Sequence, residues 1–495
     1  MPAREERLHP ETKTAGVSFA SQDSGKDSFP EQENSSRQKS LAQRLDLKDL
    51  VPLSVSSVGP LFSVAATGGV MAAYAGVWTL PAIFLLAFPF LVSSFVFRLL
   101  NKHFPQAGAS YHWSARVLGE SASRYQAWIL ILAYFTSIPP IAIPAGSYTV
   151  ALLAPRYQSS SVLEAGVTLF WIIFAAVPLL LGAKPTARIT QVFFAVEMLA
   201  LTAFAVIGVS RLGKISVPLH FSKPPIGGML VVAVIAATIL DGWEIDSYAA
   251  EESKKPREHP GLGGIIGAFG ALLFYAVLYP LMIGETPIRK LAGSSDPLAV
   301  WANRLIPGHG WAMLIPVLAS TAGGLWLTTY ILTRALYAMG RERLLPVSFA
   351  KLNKRRVPGF AVVVTLSLTF LVVLGETFVG SLSDFFKLIL SAAGFFILAE
   401  FFMDSLTAVM FLAFGHKKLP ELSVHPHRHK ALMFFSLISS LMMGSLLVAF
   451  FVYGPKAIGA GIDQTLLVLL MLGAVFTYLS RKKTASPFVF EGKSV

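Results

Sequence analysis

The chain has 495 residues, 54% of them hydrophobic and 14% charged, with a mean hydropathy of +0.61 and a net charge of +13. A soluble domain of this length is normally far less apolar, so most of that surface must meet lipid. The absence of cysteine excludes disulfides, thiolate metal sites and Cys nucleophiles.

The first fifty residues are polar, rich in Ser, Gln, Glu and Lys, and lack the apolar core of a cleaved signal peptide. They read as a disordered tail, 1–50. A bilayer core of roughly 30 Å asks for about 20 apolar residues per helix. By that measure the sequence offers twelve spans: Leu53 to Tyr74, Trp78 to Leu100, Ala127 to Leu153, Val162 to Leu181, Val192 to Val209, Met229 to Ala250, Gly264 to Ile283, Met313 to Tyr337, Phe360 to Leu374, Phe385 to Phe411, Leu432 to Val452 and Thr465 to Leu479. The ninth and twelfth are the shortest, and the tenth is long enough to tilt or bend. The division that follows is a core over 51–415, two C-terminal spans over 416–481 and a second tail, 482–495.

With the N-terminus inside, 31 of the 41 Lys and Arg residues fall on the cytoplasmic side and 8 on the outer side, with Arg334 and Lys387 within spans. The positive-inside rule then places both termini in the cytoplasm, in a multi-pass protein of the cytoplasmic membrane. The basic excess is an orientation signal and does not imply a nucleic-acid partner.

Helix breakers inside a span are tolerated only where the freed backbone groups are buried in protein or line a cavity. The first span contains Ser56-Ser57-Val58-Gly59-Pro60, in which Pro60 removes a donor and disfavours helix at Gly59. A simple proline kink is the plainer alternative. The sixth contains Leu240-Asp241-Gly242-Trp243-Glu244-Ile245-Asp246, three carboxylates around a glycine. A central Asp costs about 2.5–3.5 kcal/mol on insertion scales, so such acids mark function unless the helix end is misplaced. Breaks in spans one and six, five apart, are the arrangement of two five-helix repeats of opposite topology. Half-helix N-termini can hold a carboxylate, and free carbonyls and acids can hold an ammonium group or a cation.

Three segments carry a family resemblance that covers roughly Leu53 to Leu479. They are Asp241-Gly242-Trp243-Glu244 with Ala250-Glu251-Glu252-Ser253-Lys254-Lys255-Pro256-Arg257; Thr333-Arg334-Ala335-Leu336-Tyr337-Ala338-Met339-Gly340-Arg341-Glu342-Arg343-Leu344-Leu345-Pro346; and Phe104-Pro105-Gln106-Ala107-Gly108-Ala109-Ser110-Tyr111-His112-Trp113. Together they resemble the amino acid/polyamine/organocation permeases. The resemblance implies an all-α membrane protein of twelve transmembrane helices, with a leucine-transporter-like 5+5 inverted repeat, broken helices 1 and 6, and two additional C-terminal helices. In the first span the sequence departs from the family's Gly-Ser/Ala-Gly break.

The substrate-binding candidates are Ser56, Ser57, Val58 and Gly59 at the first break and Leu240, Asp241, Gly242 and Trp243 at the second. By resemblance Glu244 stands where the arginine/agmatine antiporter has a proton-sensing glutamate. Burial disfavours its charge, which suits it to loading and releasing a proton. Capping the amides beside Gly242 is its structural alternative. Glu197 in the fifth span occupies a position where some proton-coupled relatives have a lysine, and is the second coupling candidate. Ser320 and Thr321 are possible sodium ligands, although adjacent hydroxyls commonly bond back to their own turn, and Gly323 and Gly324 align nearer the ligand turn.

Trp243 could gate the cavity or cover a substrate cation. Arg334 is expected to bond loop carbonyls or the sixth-span acids, Lys387 to snorkel, and His425-Pro426-His427-Arg428-His429 to be a solvated loop. Glu400 and Asp404, one turn apart, receive no chemical assignment.

The expected function is secondary active transport of amino acids or related organic amines by alternating access, coupled to protons. A polyamine or cationic amino acid exchanger and a sodium symporter are the alternatives within that class, and a channel or membrane sensor outside it. The sequence has no Gly-rich loop ending in Gly-Lys-Ser/Thr and no His-Glu-x-x-His pair, so neither ATP-driven transport nor an enzyme is indicated, and no cofactor or metal is expected. The partners are the substrate, protons or sodium, and membrane lipids.

Overall fold

The computed structural model describes residues 40–221, 223–376, 382–418, 429–459 and 461–481. The tail before residue 40, the loop positions His425 to Arg428 and the tail after residue 481 lie outside the described residues. Among the described residues there is no β-strand beyond one isolated bridge, and nine helical stretches are long and apolar enough to cross a membrane. The first of these, Leu47–His103, runs for 57 residues and contains three helices: α1 (Leu47–Val58), α2 (Pro60–Ala75) and α3 (Thr79–His103).

There follow α4 (Ala109–Val117), α5 (Glu120–Leu153), α6 (Ser161–Leu181), α7 (Ala183–Arg211), the shorter apolar α8 (Ile226–Leu240), α9 (Ile245–Tyr248) and α10 (His259–Glu285). Two short helices, α11 (Ile288–Ala292) and α12 (Pro297–Leu305), lead to α13 (Leu314–Arg341). The last four are α14 (Gly359–Glu376), α15 (Leu382–Lys418), α16 (Lys430–Ala457) and α17 (Ile462–Arg481).

Side-chain exposure separates lipid-facing from interior helices. α7, α16 and α17 leave Val192, Leu199, Leu441, Val448 and Tyr478 exposed, as a surface that meets hydrocarbon must. In α13, by contrast, residues Ala319 to Gly340 are buried without interruption. α13 packs against α5, α7 and both halves of the broken first span, and α5 packs in turn against α15.

Residues 40–50, read from sequence as part of a disordered tail, belong to the fold. Leu41, Leu45 and Leu50 are buried, and Leu45 pairs in parallel with Ser253. The amides of Arg44 and Leu45 donate to the Glu252 carbonyl at 2.8 and 2.9 Å, and Lys254 N–H returns a bond to Leu45. The segment is too short and too polar to show an apolar period, because backbone pairing holds it.

Candidate functional site

Both interruptions exist. At Gly59 the chain takes a left-handed conformation, φ 56° and ψ 61°, which ends α1 and lets Pro60 open α2, where its missing N–H costs nothing. At the second, α8 stops at Leu240, Asp241 is extended, and Gly242 has φ +104°. A side chain at Gly242 would lie 2.6 Å from the Ser57 carbonyl carbon, so the two breaks are in direct backbone contact. That approach is what the glycine allows.

Each break frees backbone groups, and protein side chains meet several of them. At the first, Leu61 N–H donates to Glu197 Oε1 at 3.1 Å and Phe62 N–H donates to Ser320 Oγ at 3.1 Å. Ser320 Oγ in turn donates to Glu197 Oε1 at 2.6 Å. A carboxylate from α7 and a hydroxyl from α13 thus cap α2, where the helix dipole favours negative charge. At the second break Gly242 N–H lies 2.9 and 2.7 Å from the two Glu244 oxygens, and Tyr134 Oη of α5 donates to Glu244 Oε1 at 3.0 Å. Two carbonyls freed at the second break are met as well. Tyr275 Oη donates to Ile239 O at 2.6 Å, and Trp243 Nε1 to Leu240 O at 2.9 Å.

A small cavity opens between the breaks. Ser57, Val58 and Asp241 line it, together with Phe62, Ile141, Ile239, Thr328 and Leu390 among others. Its wall is apolar with a few hydroxyls and one carboxyl, as small-molecule sites usually are. Of the eight sequence candidates these three reach it. Ser56, Gly59, Leu240 and Gly242 shape the backbone around it, and Trp243 faces away. The Trp243 ring is fully buried, 5.1 Å from Phe97 and 5.5 Å from Phe401, so it packs the core between α3 and α15 and does not cover the cavity. Thr321 Oγ1 bonds back to Val317 O at 2.7 Å, whereas Ser320 reaches the break. Phe62, Ile141, Thr328 and Leu390 do not stand out in the sequence, being ordinary apolar or hydroxylated positions until the helices are assembled.

Across most of its length the chain matches one family model, described as amino acid permease, over residues 45–476. The chain belongs to the amino acid permease family. Similar curated proteins include the branched-chain amino acid permease BcaP of Lactococcus lactis subsp. cremoris, 26% identical over 342 residues, which are 64% of this chain and 72% of that one. The methylthioribose transporter of Bacillus subtilis is 25% identical over 336 residues, 64% and 71% of the two chains. The human large neutral amino acids transporter small subunit 2 is 23% identical over 282 residues, 54% and 51%.

In this family member the segment that follows the second break is fastened differently. Glu252 accepts a bidentate bond from Arg334 of α13, Nε at 3.0 Å and Nη2 at 3.1 Å, with Tyr330 Oη also bonded to it and the guanidinium 3.6 Å from the Tyr330 ring centre. Arg334 is wholly buried; its acid belongs to the junction after the sixth span, whereas sequence reasoning directed it to loop carbonyls or the acids within that span. Glu251 pairs bidentately with Arg341 at 2.8 and 2.9 Å and accepts from Ala107 N–H. Burial would raise the Glu251 carboxyl, but Arg341, helped by the Ala107 amide, holds it below the ordinary carboxylate range. These pairs join α13 to the chain after α9 at the end of the bundle where residues 44–46 also pair.

Proposed function

We propose that this protein is a secondary active transporter of amino acids with apolar side chains, working by alternating access around the cavity between the two helix breaks. One observation carries the reading. Two interrupted helices touch in a buried position, and beside them lies a cavity into which Asp241 and the hydroxyl-bearing Ser57 and Thr328 project among apolar side chains. A bound amino acid needs both features, since charged ends want backbone dipoles and acids while an aliphatic side chain wants Val58, Ile141, Ile239 and Leu390.

The substrate class draws further support from relatives named as branched-chain amino acid permeases in Lactococcus lactis and Bacillus subtilis. The proposed architecture is twelve spans, a 5+5 inverted repeat over 51–415 followed by two helices, with both termini cytoplasmic. Proton coupling through Glu197 and Glu244 is part of the proposal. Both carboxyls cap a freed amide and have no ion pair among the described residues, so either can change protonation without breaking a salt bridge.

Uptake of labelled leucine into proteoliposomes tests this. Accumulation driven by an imposed pH gradient, inside alkaline, is expected, with competition by isoleucine and valine and little by putrescine. Indifference to both pH and sodium gradients would remove the coupling, and preference for putrescine would replace the substrate class. Methylthioribose belongs in the competition panel because one relative is named for it.

A further inference from the structure

Glu400 and Asp404 lie one helical turn apart on α15, both wholly buried, and stand apart from the cavity lining. Three other elements supply their partners. Ser110 Oγ of α4 is 3.1 Å from Glu400 Oε1, 2.8 Å from Asp404 Oδ2 and 3.1 Å from Tyr248 Oη. Tyr248, the last residue of α9, donates to Glu400 Oε1 at 2.6 Å, and Gln126 Nε2 of α5 donates to Asp404 Oδ1 at 2.8 Å. Ser110, Gln126 and Tyr248 are as deeply buried as the acids.

Two ionised carboxylates here would leave this network short of hydrogens. The path Tyr248 to Glu400 to Ser110 to Asp404 holds three oxygen–oxygen contacts, with the Ser110–Tyr248 contact a fourth beside it, and the two hydroxyls bring one hydrogen each. One carboxyl proton completes it: Asp404 donates to Ser110, Ser110 to Glu400, and Tyr248 to Glu400, while Gln126 serves the other Asp404 oxygen. Turning the Ser110 hydroxyl moves the excess proton toward Glu400. Independently, Glu400 Oε2 is buried without a partner, which is costly for an oxygen of an ionised group.

No cation compensates the pair. Among the described residues no ion pair involves Glu400 or Asp404. On α4, His112 faces Glu342 at 3.2 Å. On α5, Tyr134 bonds Glu244, and Arg124 bonds Glu120. Arg98 and Lys102 of α3 are exposed, His103 meets Phe411 edge-on further along α15, and α3 up to Phe97, all of α8 and α16 from Met433 to Phe451 carry no titratable group. Glu244, of like sign, also faces the pair.

We propose that Glu400 and Asp404, bridged by Ser110, form a proton-binding dyad that holds one proton in this conformation and whose occupancy follows the position of α9. Tyr248 connects the two halves of that statement. It is fixed to a four-residue helix that begins directly after the Gly242 break, and its ring meets Tyr134, the partner of Glu244, edge-on at 5.6 Å. That aromatic contact interrupts the hydrogen-bonded path, so the dyad and Glu244 are not one proton wire. Displacement of α9 withdraws the Tyr248 donor from Glu400 and makes a second proton, in its place, the way to satisfy that carboxyl.

The first half of the proposal stands without transport, and the second rests on the proposed function. Infrared difference spectra of the reconstituted protein at neutral pH test the first. The double variant Glu400→Gln/Asp404→Asn is expected to lose the protonated-carboxyl intensity of one group. Loss of none means both acids are ionised, and loss of two means both are permanently neutral; either overturns the dyad. Should that variant not fold, Ser110→Ala keeps both acids and must shift the pH at which the band disappears, and an unshifted titration rejects the bridge. Leucine uptake tests the second half. The double variant should retain leucine counterflow while its uptake gains several-fold less from a pH gradient than that of wild type. Wild-type pH coupling in the variant would sever the dyad from α9, and a sodium requirement abolished by the variant would make the site one for a metal cation. Absence of counterflow in the wild-type protein would sink the transporter reading and leave the infrared result standing.

Discussion

The two helix breaks solve the same problem by opposite means. At Gly59 the freed amides are capped from far away, by Glu197 136 residues on and Ser320 258 residues on, so the start of α2 is fastened to α7 and α13. At Gly242 the freed amide is capped by Glu244, two residues along the same stretch of chain, and the remote groups Tyr134 and Tyr275 meet that carboxyl and the Ile239 carbonyl. A remote cap ties the positions of three helices together, whereas a local cap travels with its own segment. The amide cap of the first break therefore ties three helices together, whereas that of the second lies within its own segment, which is fastened to α13 further on by the Glu252–Arg334 and Glu251–Arg341 pairs.

Substituting the glycines puts that distinction under the greatest strain. Gly242→Ala forces a side chain against the Ser57 backbone at 2.6 Å in a conformation that costs about 1–3 kcal/mol for an L-residue, and backbone cannot yield as a flexible side chain does. Gly59→Ala meets nothing nearer than 3.4 Å and bears only the left-handed penalty of about 1–2 kcal/mol. Thermal unfolding in detergent should show Gly242→Ala much the more destabilised, and equal losses would mean the contact between the breaks is looser than described.

The caps come next. Glu197→Ala orphans Leu61 N–H and removes an acceptor from Ser320, a loss of about 1–3 kcal/mol for a buried donor, and Glu197→Gln should restore most of it. Glu244→Gln still offers an oxygen to Gly242, so its unfolding temperature should stay within a few degrees of wild type while uptake loses its pH dependence. A collapse in stability with unchanged pH dependence would reverse the roles assigned to the two breaks.

Both breaks were legible in the sequence because Gly-Pro inside an apolar run and three acids around a glycine violate what a lipid-facing helix can bear. The acids Glu197 and Glu244 stood out for the same reason. Their partners did not. Ser320 was picked out only as a possible sodium ligand, Tyr134 and Tyr275 are unremarkable in sequence, and which hydroxyl meets which freed group depends on how α5, α10 and α13 pack. Trp243, expected to gate the cavity or cover a substrate cation, packs away from it, since adjacency to Gly242 says nothing about direction and the Phe97 and Phe401 rings that receive it lie on other helices. The pairing of residues 44–46 with the junction escaped notice because it runs through main-chain groups, which composition does not record.

A third carboxylate cap, outside the spans, sharpens the comparison at its weakest end. Asp296 Oδ1 accepts from Ala299 N–H at 2.9 Å and starts α12, an ordinary N-cap with neither a break nor a coupling role. Burial pushes its carboxyl up to about 6 from an ordinary 3.8, against the downward pull of the Ala299 and Leu298 amides. Between those values the folded chain holds a proton that the unfolded chain has released, so the group favours the fold in acid and that contribution fades as pH rises through about 6. Asp296→Asn keeps an oxygen for the cap and has no charge to bury. Its unfolding temperature should therefore fall less than that of wild type between pH 5 and 7, with leucine uptake unchanged at each pH. If uptake shifted with it, buried caps in general would carry the pH response, and Glu244 would lose its claim to a special place.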